Sequence, residues 1–127
     1  QNDNDLVIPL EINSRYAAHY YIGINCASAT PDIKFNFTVP SGATRRYHVV
    51  GLDPAATIGI GSVTMMWRDI NDVTVAANNQ FPSAQIHVSY ITSGTAGNAV
   101  LQWAQNTSDA NGVTVVAQSW VEVWKVG

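Results

Sequence analysis

Hydrophobic and polar residues alternate along most of this 127-residue chain, and a period of two marks strands that turn one face to a core. The first run carries Leu6, Ile8, Leu10 and Ile12 on one side, with Val7, Pro9 and Glu11 on the other. Pro9 cannot donate to a ladder, which places this strand at a sheet edge. Asn13 and Ser14 then turn the chain. Over 16–27, one face holds Tyr16, Ala18, Tyr20, Ile22, Ile24 and Cys26, and the other Arg15, His19, Tyr21 and Asn25, with a bend expected at Gly23. The cleanest alternation follows, with Ile33, Phe35, Phe37 and Val39 inward and Asp32, Lys34, Asn36 and Thr38 outward. Pro40-Ser41-Gly42 is a turn by residue type, because Pro fixes φ and Gly accepts a positive one.

A strand from about Thr44 to Leu52 sets Tyr47 and Val49 against Arg46, His48 and Val50, and Asp53-Pro54 ends it. Residues 57–67 are strand-like but weakened by Gly59 and Gly61; Val73 and Val75 suggest a short strand before a loop at 76–80. Alternation returns through Ala84, Ile86, Val88 and Tyr90, then a glycine-containing connection leads to Ala99, Leu101 and Trp103, as in a hairpin. A last long strand is predicted over 113–126, apolar on both faces and therefore expected to be covered on both. No window sustains a helical period. About eight strands at this spacing predict an all-β chain, an antiparallel β-sandwich of jelly-roll-like form. Residues 1–127 form one domain in this reading, with the polar residues 1–5 as a junction or N-terminal arm. The start at Gln1 rather than Met suggests a piece of a longer chain.

Composition adds one expectation and removes several. Charged residues are 12% against 46% hydrophobic, a low share for a fully solvated surface, which points to oligomerisation. With a net charge of −3 and basic residues scattered apart from Arg45-Arg46, no stripe can neutralise a run of phosphates, so nucleic acid is not a partner. Apolar runs fall far short of a bilayer span, so no membrane partner is expected. Cys26 is the one cysteine, which rules out an internal disulfide or a cysteine-cluster zinc site; its strand context marks a small buried residue.

Candidate chemistry is sparse. His19, His48 and His87 each sit mid-strand without a nucleophile motif or metal-ligand spacing, and read as solvent-facing or hydrogen-bonded strand histidines. One histidine per subunit on a three-fold axis could still hold an ion. Asp32, Asp53, Asp69, Asp72, Asp109 and Glu122 lie mostly beside turns, and spacing nominates no acid pair for glycoside hydrolysis. Asp69-Ile70-Asn71-Asp72 has the look of part of a calcium loop, yet lacks the Gly and terminal Glu of an EF-hand. No catalytic residue, cofactor or metal set is nominated, and the chain reads as a non-enzyme. Trp67, Trp103, Trp120 and Trp124 with Tyr20, Tyr21, Tyr47 and Tyr90 could stack on sugar rings, or could be core and interface. Trp67 and Trp124 are the best exposed candidates, and with Arg45 and Arg46 they make the expected ligand or partner surface.

Three ordered segments carry a resemblance. They are Asn2-Asp3-Asn4-Asp5-Leu6-Val7-Ile8-Pro9-Leu10 with Asn13 and Tyr16; Pro31-Asp32-Ile33-Lys34-Phe35 through Phe37-Thr38-Val39-Pro40-Ser41-Gly42-Ala43-Thr44; and Gly97-Asn98 through Leu101-Gln102-Trp103-Ala104-Gln105-Asn106-Thr107-Ser108 to Ser119-Trp120. Together they resemble a domain recurrent at the ends of tail, fibre and other virion proteins of tailed bacteriophages. The resemblance implies a trimeric β domain on the particle surface, a tail or fibre tip or a capsid decoration, touching other virion proteins and a host-surface glycan. It brings no catalytic residues. Residues 55–81 depart most from the pattern. A stand-alone carbohydrate-binding module or lectin with a Trp and Tyr platform is the competing reading.

Overall fold

The alternating runs form strands as their spacing predicts. The structure, a computed structural model, describes residues 1–27, 31–52, 63–68, 73–75 and 83–127, and for residues 52, 63–68 and 73–75 the backbone alone. Ten strands lie among them: β1 (Asn2–Leu10), β2 (Arg15–Asn25), β3 (Ile33–Thr38), β4 (Thr44–Leu52), β5 (Val63–Arg68), β6 (Val73–Val75), β7 (Ser83–Ile91), β8 (Gly97–Gln105), β9 (Thr114–Val115) and β10 (Trp120–Lys125). Eight have six residues or more, matching the number expected. No helix among the described residues is long and apolar enough to cross a membrane.

Two antiparallel sheets pack face to face: a four-stranded sheet in the order β1-β8-β3-β6, and a six-stranded one in the order β10-β2-β7-β4-β5 with β9 beside β2. The pairing is nested. β1 pairs with β8, β2 with β7, β3 with β6 and β4 with β5, as if one long antiparallel ribbon had been folded over on itself. Contacts of β3 with β8 and of β4 with β7 then join the folded halves into the two sheets. β10 lies outside this scheme, added along β2 at the rim.

Inward positions of both sheets fill the space between them. Phe37, from the four-stranded sheet, sits at its centre: its ring lies 5.2 Å from that of Tyr20, 5.1 Å from Tyr47 and 6.2 Å from Tyr90, tilted or edge-on to each. Edge-to-face contacts suit the ring quadrupole and add to area burial. The Tyr20 and Tyr90 hydroxyls meet at 3.0 Å, so each polar tip finds a partner in the core. Burial pushes the Tyr20 phenol up to about 12, although its bond to Tyr90 opposes this. Ile33, Phe35, Ile86, Ala99 and Leu101 complete the centre, and Cys26 is buried as expected.

Several expectations change in detail. The polar residues 1–5 are not separate from the sheet, since β1 starts at Asn2. The Asp3 carboxylate accepts from the amides of Asp5 and Leu6, and the register with β8 slips between Asn2 and Val7. Pro9 does lie on an edge strand. Ile12 is 51% exposed rather than inward, because β1 ends at Leu10 and the chain is already turning. Most consequential, the predicted strand over 113–126 is two strands separated by a turn, closed by the Ser119 amide donating to the Val116 carbonyl at 2.9 Å. At Gly23, β2 passes from β10 to β9, and a Cβ there would overlap Val116. Residues 57–62, the Asp69–Asp72 segment and the loop at 76–80 lie outside the described residues.

Phe37→Ala should therefore destabilise the fold by about 3–5 kcal/mol, the usual cost of emptying a large buried aromatic site. Urea unfolding followed by circular dichroism checks it; a loss below about 1 kcal/mol would mean the sheets are held together by something else.

Candidate functional site

Register, rather than sequence proximity, builds the outer face of the six-stranded sheet. Inward residues of β2, β7 and β4 belong to the core, so Arg15, Ala17, His19 and Tyr21 of β2, Gln85, His87, Ser89 and Ile91 of β7, and Arg46, His48 and Val50 of β4 point the other way. Cross-strand pairing sorts these into rows. One row runs Glu122, His19, His87, His48 across β10, β2, β7 and β4. Two residues along, the next runs Trp124, Ala17, Ser89, Arg46.

The three histidines stack. His19 and His87 have ring centroids 4.1 Å apart at 13°, and His87 and His48 are 4.7 Å apart at 5°. Side-by-side parallel rings do not converge their nitrogens on one point, and no group of three His, Cys, Asp or Glu among the described residues is arranged to hold a metal ion. His87, in the middle, is held below the ordinary imidazole range, first by burial and then by the charges that His19 and His48 would carry. Its neighbours extend the pattern: the Trp120 ring lies edge-on to His19 at 5.9 Å and stacks on Tyr21 at 5.9 Å and 14°.

The row of Ala17 and Ser89 is low because its side chains are small, and a groove of about 390 Å³ lies over it. Trp124, 49% exposed, forms one end, Arg46 lines the groove with it, and the histidine row forms the long wall. Two of the four residues predicted for a ligand surface, Trp124 and Arg46, are thus brought together. Arg45 is not with them. It shares the inward parity of Tyr47 and Val49, and its Nη2 donates to the Asn36 Oδ1 at 2.9 Å, tying β4 to β3. Trp67 pairs through its backbone with His48 on β5, continuing the histidine row, while its side chain lies outside the described residues.

The aromatic platform divides in the same way. Tyr20, Tyr47 and Tyr90 are core, and Trp103 packs partly against it, whereas Trp120, Tyr21 and Trp124 share the outer face. Missing from the sequence reading were the floor, Ala17 and Ser89, and the meeting of the histidines. The outward parity of each histidine was readable; the register that aligns them was not. Comparison with protein-family models, with curated proteins and with solved structures finds no match to this chain.

Because His87 is depressed in the folded protein, the unfolded chain binds its proton first as pH falls. Stability contributed here is present above the ordinary imidazole value and lost as pH drops through the folded one. Thermal melts between pH 8 and pH 5 should show the melting temperature falling with pH, with a shallower fall in His87→Gln. An unchanged slope in the variant would remove His87 as its source.

Proposed function

We propose that the chain is a non-enzymatic structural module of a virion surface, at a tail or fibre tip or as a capsid decoration, that assembles with copies of itself and faces the host. The nested strand pairing supports a jelly-roll-like winding of the sandwich. The observation that carries the proposal is β10. Among the described residues it pairs only with β2, and it is apolar and exposed on both sides: Trp120 is 42% and Trp124 49% exposed on the outer side, and Val123 43% on the inner. An open, flat, apolar edge is a liability in an isolated chain and an asset in an assembly.

The two sides of β10 are assigned separately. Its edge and Val123 go to a neighbouring copy in a head-to-tail contact that closes after three subunits, while Trp120 and Trp124 belong to the outer face. Nothing in the site requires a cofactor, and neither nucleic acid nor membrane is part of the reading. The second reading, a glycan-binding role, is favoured by one observation, the groove between Trp124 and the histidine row. The two are compatible, because copies held in a trimer bind repeated surface glycans with avidity.

Light scattering on the purified chain should give about three times 13.7 kDa. Val123→Glu should yield a monomer, since a charge would be buried at the contact, and Trp124→Ala should remain a trimer. A wild-type monomer at tens of micromolar would overturn the assembly proposal.

A further inference from the structure

We propose that the outer side of β10 is a tract for a neutral, straight-chain polysaccharide, whose rings stack on Trp120 and Trp124 and whose hydroxyls donate to Glu122 between them. The inference rests on the reading of the outer face as a glycan-binding surface and says which kind of glycan it takes. β10 pairs with β2 residue for residue from Trp120 to Lys125, without a bulge, so Trp120, Glu122 and Trp124 stand in line on one side of it. All three are exposed, the indoles at 42% and 49%. An exposed indole packs well on the C–H face of a pyranose ring, since both are flat and apolar. Tyr21, stacked on Trp120, and His19, edge-on to it, brace that indole from β2. The neighbour contact assigned to the strand edge and Val123 leaves this side open.

Spacing and charge select the ligand. The two strand positions lie about 13 Å apart at the usual rise per residue, whereas a cation bound by aromatic rings needs each within about 6 Å. Glu122 stands between them, and Trp120 has its ring neighbours on β2. Two separate stacking contacts call for a ligand long enough to reach both, and the line of a strand calls for a straight one. Glu122 forms no hydrogen bond or ion pair with any described residue. A carboxylate accepts and does not donate, so it favours a ligand rich in hydroxyl donors and repels an acidic one. The nearest basic residue in register, Arg15, lies a row past Trp124, across from Val126. Pyranoses joined β-1,4 through equatorial bonds make straight ribbons that present C–H faces, while α-1,4 chains coil. The ligand is therefore a neutral β-1,4 ribbon of the glucan, mannan or N-acetylglucosamine type.

Titration calorimetry on the intact protein with cellohexaose, mannohexaose and chitohexaose, and with maltohexaose as the coiled control, tests the proposal. At least one ribbon hexaose should bind, about a hundredfold more tightly than its own disaccharide, which reaches one indole only. Trp120→Ala or Trp124→Ala should reduce that length advantage to a few-fold, and Glu122→Ala should weaken the hexaose about tenfold. Circular dichroism confirms that each variant folds, and the wild-type comparison of lengths and linkages stands even where one does not. Long and short sugars bound equally, with dependence on Trp124 but not on Trp120 or Glu122, would overturn the tract and leave the groove's glycan-binding reading standing. So would binding of maltohexaose alone, or of other sugars on a glycan array with none of the three ribbons. Binding of hexalysine in place of any sugar would overturn the inference in favour of a basic peptide. No binding to the hexaoses or to any glycan on the array would overturn the inference and the glycan-binding reading together.

Discussion

The contact of Phe37 with Tyr20, Tyr47 and Tyr90 holds the structure in register. One ring from the four-stranded sheet meets three from β2, β7 and β4, the central strands of the other. Sheets that share a packed aromatic block cannot slide by one residue without turning every inward side chain out. That constraint fixes which residues of β2, β7 and β4 face solvent, and so decides that three histidines stand side by side on the outer face. The groove is a consequence of core packing on the other side of the same strands.

Nested pairing explains why the core is complete before β10 is added. The inward faces of β1 to β4, β7 and β8, with Cys26 and Val113, supply the buried core among the described residues, and β10 contributes only the partly buried Val121 to it. Its remaining apolar side chains are surplus to the fold of one chain. Ordinary ion pairing does little to compensate: Lys125 meets Glu11 at 2.8 Å, but both are exposed, and such pairs are worth little.

Much of the fold was legible because alternation is a local signal. The inward sets of β2, β3, β4 and β7 were readable residue by residue, and so was the turn at Pro40 to Gly42, where Gly42 has φ of 74°. The break between β9 and β10 was not, since the apolar alternation runs straight through it and depends instead on where β2 passes Gly23. Arg45 and Arg46 illustrate the same limit in reverse. Adjacent in sequence, both were assigned to the expected ligand or partner surface, although a period of two must send them to opposite faces. The histidines, separated by dozens of residues, meet only through pairing register, which no single segment encodes.

A surplus edge strand offered to a neighbouring copy has a direct signature in amide exchange. Hydrogen exchange across β10, compared between concentrated and dilute protein, should show the edge-facing amides of Val121, Val123 and Lys125 protected in the assembly and rapidly exchanging after dilution, while those of Glu122 and Trp124, which face β2, and the β2, β7 and β3 amides stay protected in both. Protection of the edge-facing amides that is independent of concentration, or absent throughout, would contradict the assignment of this edge to a partner copy.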